Sequence, residues 1–147
     1  MKKIVIGSDH AAFEMKEFVR EFLHSKKIEV LDVGTNNIER CDYPDFAIAL
    51  AKEVVEKKLT GILLCGSGVG VSIVANRFKG IRAALCRSGS DAEMARKHND
   101  ANVLCLGART NSKEEIMAII DVWLASEFEN GRHTDRLNKF KDLGEVF

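Results

Sequence analysis

The sequence predicts an α/β protein with an open parallel sheet and helices on both of its faces. Five short runs rich in apolar residues alternate with segments of helical periodicity. The runs are largely apolar instead of alternating between apolar and polar residues, which is typical of parallel strands buried on both faces. Short connections between such strands and helices favour one layered sheet.

Length and composition predict a single domain over residues 1–147, since the chain is 46% hydrophobic and contains one proline. Its 22 basic and 22 acidic residues balance, so the composition indicates neither a nucleic-acid partner nor a membrane surface. The sequence shows no signal-peptide pattern and no apolar run near the roughly 18 residues of a membrane span. We therefore expect a cytoplasmic protein with no membrane or nucleic-acid contacts.

The predicted strands occupy residues 3–6, 29–33, 62–65, 81–86 and 103–106. Apolar residues around Phe18 and Leu50 give the first two helices a buried face. The third helical segment, residues 70–75, is apolar almost all round, so it should be buried against its own sheet and, as one option, against another subunit. A long helix follows over about 112–128.

The C-terminal region is predicted to be a helical appendage at about 132–145. Glu129-Asn130-Gly131 breaks the preceding helical pattern. Thr134 is a residue type that caps helices, so we expect it to start a final helix that runs through residue 143.

The most informative segment is residues 62–70, Ile-Leu-Leu-Cys-Gly-Ser-Gly-Val-Gly. Its glycines leave backbone N–H groups unshielded, so an anion can approach them. Cys65 stands at the edge of that loop, where exposed amides and a helix N-terminus favour the thiolate. Cys65 is therefore a candidate base or nucleophile. The alternative is a buried strand cysteine beside a structural turn.

The other cysteines predict neither a metal nor a redox centre. Cys41, Cys65, Cys86 and Cys105 lie about twenty residues apart without a Cys-x-x-Cys pair, which fits neither a zinc site nor a dithiol. We interpret all four as free thiols, with Cys86 and Cys105 in the core.

Two further loops leave the carboxyl ends of predicted strands, where ligands bind in open parallel sheets. The first carries Asp9 and His10, and the last carries Arg109. Asp9 has an alternative role as a helix N-cap. His10 faces the positive end of the helix dipole, which disfavours its cation unless an anion is present.

His98 and Asn99 lie between the fourth helix and the fifth strand. A helix that runs back from the carboxyl edge ends at the opposite edge of the sheet, so His98 should be far from Cys65 in the same chain. His98 is then either a C-terminal helix residue stabilised by the dipole, or a member of a site in a neighbouring subunit.

Arg132 and Arg136 are four residues apart, so on one helix they share a face and could grip a phosphate. The alternative is two solvated arginines. Their place at a helix N-terminus favours the phosphate, because an anion relieves the conflict of two cations with the dipole. We interpret His133 as a solvated loop residue.

Six motifs in order and spacing resemble the type B ribose-5-phosphate isomerase family, which includes galactose-6-phosphate and allose-6-phosphate isomerases. The resemblance covers nearly the whole chain. The motifs are Gly7-Ser8-Asp9-His10, Asp42-Tyr43-Pro44, Cys65 to Gly70, Gly80-Ile81-Arg82-Ala83, His98-Asn99-Asp100-Ala101-Asn102 and Gly131-Arg132-His133, and Asn76 stands between the third and the fourth of them.

The resemblance implies a Rossmann-like three-layer α/β/α sandwich with a five-stranded parallel sheet. It also implies a homodimer that shares two active sites and sometimes pairs into tetramers. The implied activity interconverts ribose 5-phosphate and ribulose 5-phosphate in the pentose phosphate pathway, with side activity on six-carbon sugar phosphates as an option. The chemistry needs a base at carbon, oxyanion donors and a ring-opening acid or base, with no metal or cofactor.

Roles carry over by resemblance to individual positions. Cys65 resembles the carbon base, and His98 resembles the ring-opening group, assisted by Asp9. Ser67 matches a position often held by threonine, and its hydroxyl would move a proton between O1 and O2. The implied substrate-binding residues are Asp9, His10, Tyr43, Gly66, Ser67, Gly68, Val69, Gly70, Asn99, Arg109, Arg132 and Arg136.

The main alternative function is a phosphocarrier subunit of a sugar phosphotransferase system, in which Cys65 would be phosphorylated. In such carriers the cysteine normally follows the first strand, whereas Cys65 follows the third. A cysteine phosphatase would need arginine at position 71, and a dinucleotide-binding loop would need glycine there. This chain has Val71, so both of those alternatives are weaker.

Overall fold

Five parallel strands form one sheet. The computed structural model describes residues 3–147. The strands are β1 (Lys3–Ser8), β2 (Glu29–Asp32), β3 (Thr60–Cys65), β4 (Ala83–Leu85) and β5 (Val103–Gly107). Their spatial order is β2-β1-β3-β5-β4, and every pairing is parallel. The predicted parallel sheet is confirmed.

Helices cover both faces of the sheet. They are α1 (Phe13–Ser25), α2 (Tyr43–Lys57), α3 (Val69–Ala75), α4 (Gly89–Asn99), α5 (Lys113–Ala125) and α6 (Arg132–Asn138), and a 3₁₀ turn, His10–Ala12, precedes α1. One apolar core lies under α1, α4 and α5, around Leu23 and Trp123. The other lies under α2 and α3, around Leu50 and Val71. The three-layer sandwich is therefore confirmed.

No helix within residues 3–147 has both the length and the apolar content that a membrane crossing needs.

The order of the strands places a crevice between β1 and β3. From β1 the chain goes to β2 on one side of the sheet, and later elements continue from β3 on the other. Loops leave the carboxyl ends of two such strands in opposite directions, which opens the ligand-binding crevice of α/β sheets. Ser8 at the end of β1 pairs with Leu64, so the loops that follow Ser8 and Cys65 emerge side by side.

Two asparagine side chains cover the backbone at the edge strand β4. Asn76 donates to the carbonyl oxygen of Ala83 at 2.9 Å and accepts from its N–H at 2.8 Å. Asn102 accepts from the N–H of Arg82 at 2.8 Å. The strand therefore begins at Ala83 and not at residue 81 as predicted, because a side chain takes the preceding backbone donor. Satisfied edge groups also discourage pairing with other chains.

The start of the last helix differs from the prediction. The helix α6 begins at Arg132, and Thr134 lies inside it. Gly131 has a φ of +60°, a conformation that glycine adopts without steric cost, so the chain turns into the helix three residues earlier than a Thr134 cap would allow.

The end of the chain also differs, because α6 stops at Asn138 and not at residue 143. The segment after it returns to the connection between α3 and β4. Glu145 donates its N–H to the carbonyl oxygen of Arg77 at 2.8 Å and accepts from Lys79 at 2.8 Å. The ring of Phe147 stacks on Phe78 with centroids 4.4 Å apart. These long-range contacts replace the last helical turns. The preceding helix α5 likewise ends early, at Ala125 and not at residue 128.

Candidate active site

Cys65 ends β3 in contact with the glycine loop. Cys65 is only 5% exposed in the single chain, and its Sγ accepts a hydrogen bond from the N–H of Gly68 at 3.1 Å. The Ser67 hydroxyl accepts from the N–H of Val69 at 3.2 Å. Both candidate side chains are thus positioned by amides of the same loop.

The loop packs tightly against the end of β5 at Gly68. The residue has a φ of +78°, and an added Cβ would lie 2.7 Å from the Leu85 side chain and 2.9 Å from the Leu106 backbone. Gly107 is equally constrained, since a Cβ there would lie 2.7 Å from the carbonyl oxygen of Ser67. Glycine at these positions lets the loop approach the sheet edge.

We predict that Gly68→Ala lowers the free energy of unfolding by about 2–5 kcal/mol, from left-handed backbone strain and steric overlap. Gly66→Ala is the matched control in the same loop, because its Cβ would meet the nearest atom, on the Arg109 side chain, at 3.4 Å. Urea unfolding of both variants measures the difference. Equal losses would contradict the assigned loop geometry.

Four other predicted residues lie beside the loop, namely Asp9, His10, Tyr43 and Arg109. Asp9 accepts the N–H of Ala12 through Oδ1 at 3.3 Å, so it does cap the 3₁₀ turn, and it is 7% exposed. Tyr43 lies over Gly70, where a Cβ would be 2.6 Å from its ring. Arg109 donates its N–H to the carbonyl oxygen of Gly66 at 2.9 Å.

The ring of His10 is held by the loop before α2. Its Nδ1 lies 3.2 Å from the backbone N of Cys41. This contact leaves Nε2 as the atom that can face a ligand. We call the residues that gather here the carboxyl-edge site: Asp9, His10, Tyr43, Cys65, Gly66, Ser67, Gly68, Val69, Gly70 and Arg109.

The remaining predicted residues form a second group at the opposite edge of the sheet. His98 and Asn99 end α4, while Arg132 and Arg136 lie on α6. The loop before α6 is attached to α4, because the N–H of Glu129 donates to the carbonyl oxygen of Lys97 at 3.0 Å. We call this group the amino-edge cluster: His98, Asn99, Glu129, Arg132, His133 and Arg136.

The prediction that His133 is a solvated loop residue is wrong. It lies in the first turn of α6 and is 6% exposed. Its ring stacks on that of His98, with centroids 4.4 Å apart. Burial lowers the pKa of His133, and the charges of His98 and Arg132 lower it further. The neutral imidazole is therefore favoured.

One chain does not bring the two groups together. Cys65 pairs with Gly107 at the carboxyl end of β5, whereas His98 precedes Val103, where β5 begins. The whole length of that strand separates the two edges. This is the placement that the topology predicted for His98.

The other core thiols are poor nucleophiles. Burial raises the pKa of Cys86 to about 12, and the nearby Asp91 contributes. Burial also raises the pKa of Cys105 well above its ordinary value. All four cysteines are free, as predicted. The thiolate, which is the reactive form of cysteine, is thus disfavoured at both core positions.

Two side chains near these groups were not singled out from the sequence. Arg87 donates to the carbonyl oxygen of Ser67 at 2.9 Å and to the Thr110 hydroxyl at 2.6 Å, which ties the glycine loop to the loop after β5. No sequence signal marks that contact. Glu129 lies four residues before His133, a spacing that could have indicated their interaction.

A family model described as Ribose/Galactose Isomerase matches residues 4–140. The chain belongs to this family. The ribose-5-phosphate isomerase B of Escherichia coli strain K12 is 44% identical over 138 residues, which cover 93% of each chain.

Solved members of the Ribose/Galactose Isomerase family share the fold over nearly the whole chain. A ribose 5-phosphate isomerase from Thermotoga maritima is 47% identical with a TM-score of 0.94 and covers 97% of this chain and 99% of its own. The enzyme from Mycoplasma genitalium, solved with bound ribulose 5-phosphate, is 42% identical with a TM-score of 0.91 and covers 95% of this chain and 93% of its own.

Proposed function

We propose that the protein is an aldose–ketose isomerase that interconverts ribose 5-phosphate and ribulose 5-phosphate through an enediolate. The observation that carries this proposal is Cys65 at the end of β3, hydrogen-bonded by the glycine loop in the crevice between β1 and β3. Membership of the family and the names of the relatives support an isomerase over the phosphocarrier alternative. The proposed unit is one domain over residues 1–147.

Cys65 is the proposed base. Its thiolate removes the proton from C2 of the open-chain aldose, and the electron pair of that C–H bond forms the C1–C2 double bond while negative charge moves to O1. The Ser67 hydroxyl relays a proton from O2 to O1, and the Cys65 thiol then protonates C1 to give the ketose. Amides of the glycine loop stabilise the oxyanion, a contribution typically worth about 3–4 kcal/mol per donor.

The remaining residues are proposed to open the ring and hold the substrate. His98 exchanges protons with the ring oxygen and the anomeric hydroxyl of the furanose, with Asp9 assisting, because the aldose must be acyclic before C2 becomes acidic. Asn99 and Tyr43 contact the sugar. The phosphate receives hydrogen bonds and positive charge from four side chains, those of His10, Arg109, Arg132 and Arg136.

Because the carboxyl-edge site and the amino-edge cluster lie at opposite edges of one chain, this assignment requires a homodimer. An exposed apolar surface on α3 supports such an assembly. It is formed by Val69 and Ile73, which are four residues apart on one face of the helix and are 40% and 59% exposed. A cavity of about 470 Å³, lined by residues that include Asn76, Asn99 and Phe140, begins where α3 ends. A second copy of the chain that packs here would bury Val69, Ile73 and the lining of the cavity beside the active site. Two such dimers would then pair to form the proposed tetramer.

The cytoplasm is the proposed compartment. Four free thiols support it, since reducing compartments keep cysteines unpaired.

Turnover assays test the proposed function directly. Ribose 5-phosphate should be converted, and parallel assays with allose 6-phosphate and galactose 6-phosphate measure whether Ser67, which replaces a common threonine, changes substrate breadth. EDTA should not lower the rate. Mass spectrometry after incubation with sugar phosphate should show no phosphate on Cys65, whereas a phosphocarrier would retain it.

We predict that Arg132→Ala and Arg136→Ala each raise KM for ribose 5-phosphate about 10- to 150-fold, because each removes a charge-assisted hydrogen bond worth roughly 1.5–3 kcal/mol. Lys139→Ala is the matched control, since it removes an exposed cation directly after the same helix. Steady-state kinetics measure KM and kcat. An unchanged KM in both arginine variants would show that Arg132 and Arg136 are solvated surface residues that do not bind the phosphate.

A further inference from the structure

Three side chains of the amino-edge cluster lie close together. His98 comes from the last turn of α4, Glu129 from the loop before α6 and His133 from α6. The Glu129 Oε1 lies 3.7 Å from the His98 Nε2 and 3.5 Å from the His133 Nε2. All three ligand atoms are within 4.8 Å of one another.

The two distances from Glu129 Oε1, 3.5 and 3.7 Å, are close to those between ligands of a tetrahedral metal ion. Zinc bonds of about 2.0–2.1 Å to imidazole nitrogen and carboxylate oxygen place neighbouring ligand atoms roughly 3.3–3.5 Å apart. Two histidines and one glutamate form a zinc ligand set that leaves a fourth position open. We propose that His98, Glu129 and His133 bind a zinc ion, and that this ion inhibits the protein.

Metal access and ligand mobility are compatible with this site. The side chains of His98 and Glu129 are 36% and 49% exposed, whereas that of His133 is 7% exposed. The two imidazole rings are only 18° from parallel, so their in-plane lone pairs do not yet meet at one point. The half-buried His98 ring must turn toward the more deeply buried His133 ring when the ion binds.

Nearby charges limit the affinity of the site. The positive charges of Arg132 and Arg136 lie close enough to His133 to affect it electrostatically. Lys97 likewise interacts with the charge of Glu129, although the Lys97 amine is paired with Glu93 at 2.5 Å. These cations oppose a divalent ion. Zinc should therefore bind reversibly from solution, as suits an inhibitory ion more than a structural one.

Inhibition rests on the proposed function, in which His98 opens the furanose ring. A nitrogen bonded to zinc can neither accept nor donate the proton that this step requires. Zinc should accordingly lower the rate with ribose 5-phosphate, and EDTA should restore it.

The decisive experiment is titration calorimetry with zinc sulfate on the full-length protein, in a buffer without thiol reductants. Wild type should bind one zinc per chain at this site, and Glu129→Gln and His133→Gln should each weaken that binding about tenfold or more. His24→Gln is the matched control, because His24 is an exposed histidine at the end of α1 and should bind zinc like wild type.

A thiol site is the competing explanation, since the Cys41 Sγ lies 3.9 Å from the His10 Nδ1. Cys41→Ser should keep the zinc site, and Co²⁺ in place of zinc should give the visible absorption of a tetrahedral ion without a sulfur-to-cobalt band. Loss of binding in Cys41→Ser, or full binding in both Glu129→Gln and His133→Gln, would overturn the proposal.

Calorimetry also separates this proposal from the proposed function. Zinc binding to the three side chains in a protein that does not turn over ribose 5-phosphate would support the site and reject its inhibitory role. An active isomerase that binds no zinc would reject the site alone.

Discussion

Cys65→Ala should reduce isomerisation of ribose 5-phosphate by at least about 10²–10⁴-fold, the usual contribution of a general base. The substitution removes the group proposed to take the C2 proton and leaves the phosphate ligands in place. Sugar-phosphate binding should therefore remain close to that of wild type. Exchange of the C2 hydrogen with solvent, followed by NMR in deuterated buffer, should disappear together with turnover.

Cys105→Ala is the matched control, because this residue is a fully buried cysteine on the neighbouring strand β5. Its loss should cost stability on the order of 1 kcal/mol, as typical core truncations do, and leave the C2 exchange intact. Near wild-type turnover in Cys65→Ala would show that another group removes the proton. Loss of exchange in both variants would instead point to a general disturbance of the sheet.

The sheet could be predicted from the sequence because its strands are defined locally. Runs such as residues 62–65 and 103–106 are apolar throughout, and both become fully buried strands. The C-terminal region could not be predicted in the same way. Its end is held by Glu145 on Arg77 and by Phe147 on Phe78, and partners nearly seventy residues apart leave no periodic trace in the sequence.

In the candidate site too, the features set by local sequence or by topology could be predicted, and those set by long-range contacts could not. Cys65 and the glycine loop are contiguous in sequence, so their contact follows from local chemistry. The opposite position of His98 follows from the topology of parallel sheets alone. The burial of His133 does not, because it depends on a stack with His98 and on how the loop at Glu129 attaches to α4. The contact of Arg87 with Ser67 likewise exists only after β4 and β3 flank β5.

Mixing two inactive variants should restore activity if Cys65 and His98 act in one site across a dimer. Cys65→Ala and His98→Asn chains, each nearly inactive alone, are unfolded together and refolded as an equal mixture. In a two-fold symmetric dimer, the mixed species has one site with both defects and one with neither. About half of the dimers are mixed under random pairing, so activity should recover to roughly a quarter of wild type.

The matched control places both substitutions in one chain and mixes it equally with wild type. If sites are shared across the dimer, every site in a mixed dimer carries one defect, so only wild-type dimers work and activity is about a quarter of that of wild type. If each chain holds a complete site, about half of the wild-type activity survives in this control mixture. The mixture of the two single variants then recovers no activity. Native mass spectrometry verifies that mixed dimers form. A quarter of wild-type activity in both experiments requires the subunit-spanning site. No activity in the mixture of single variants and about half in the control would show that His98 acts within its own chain.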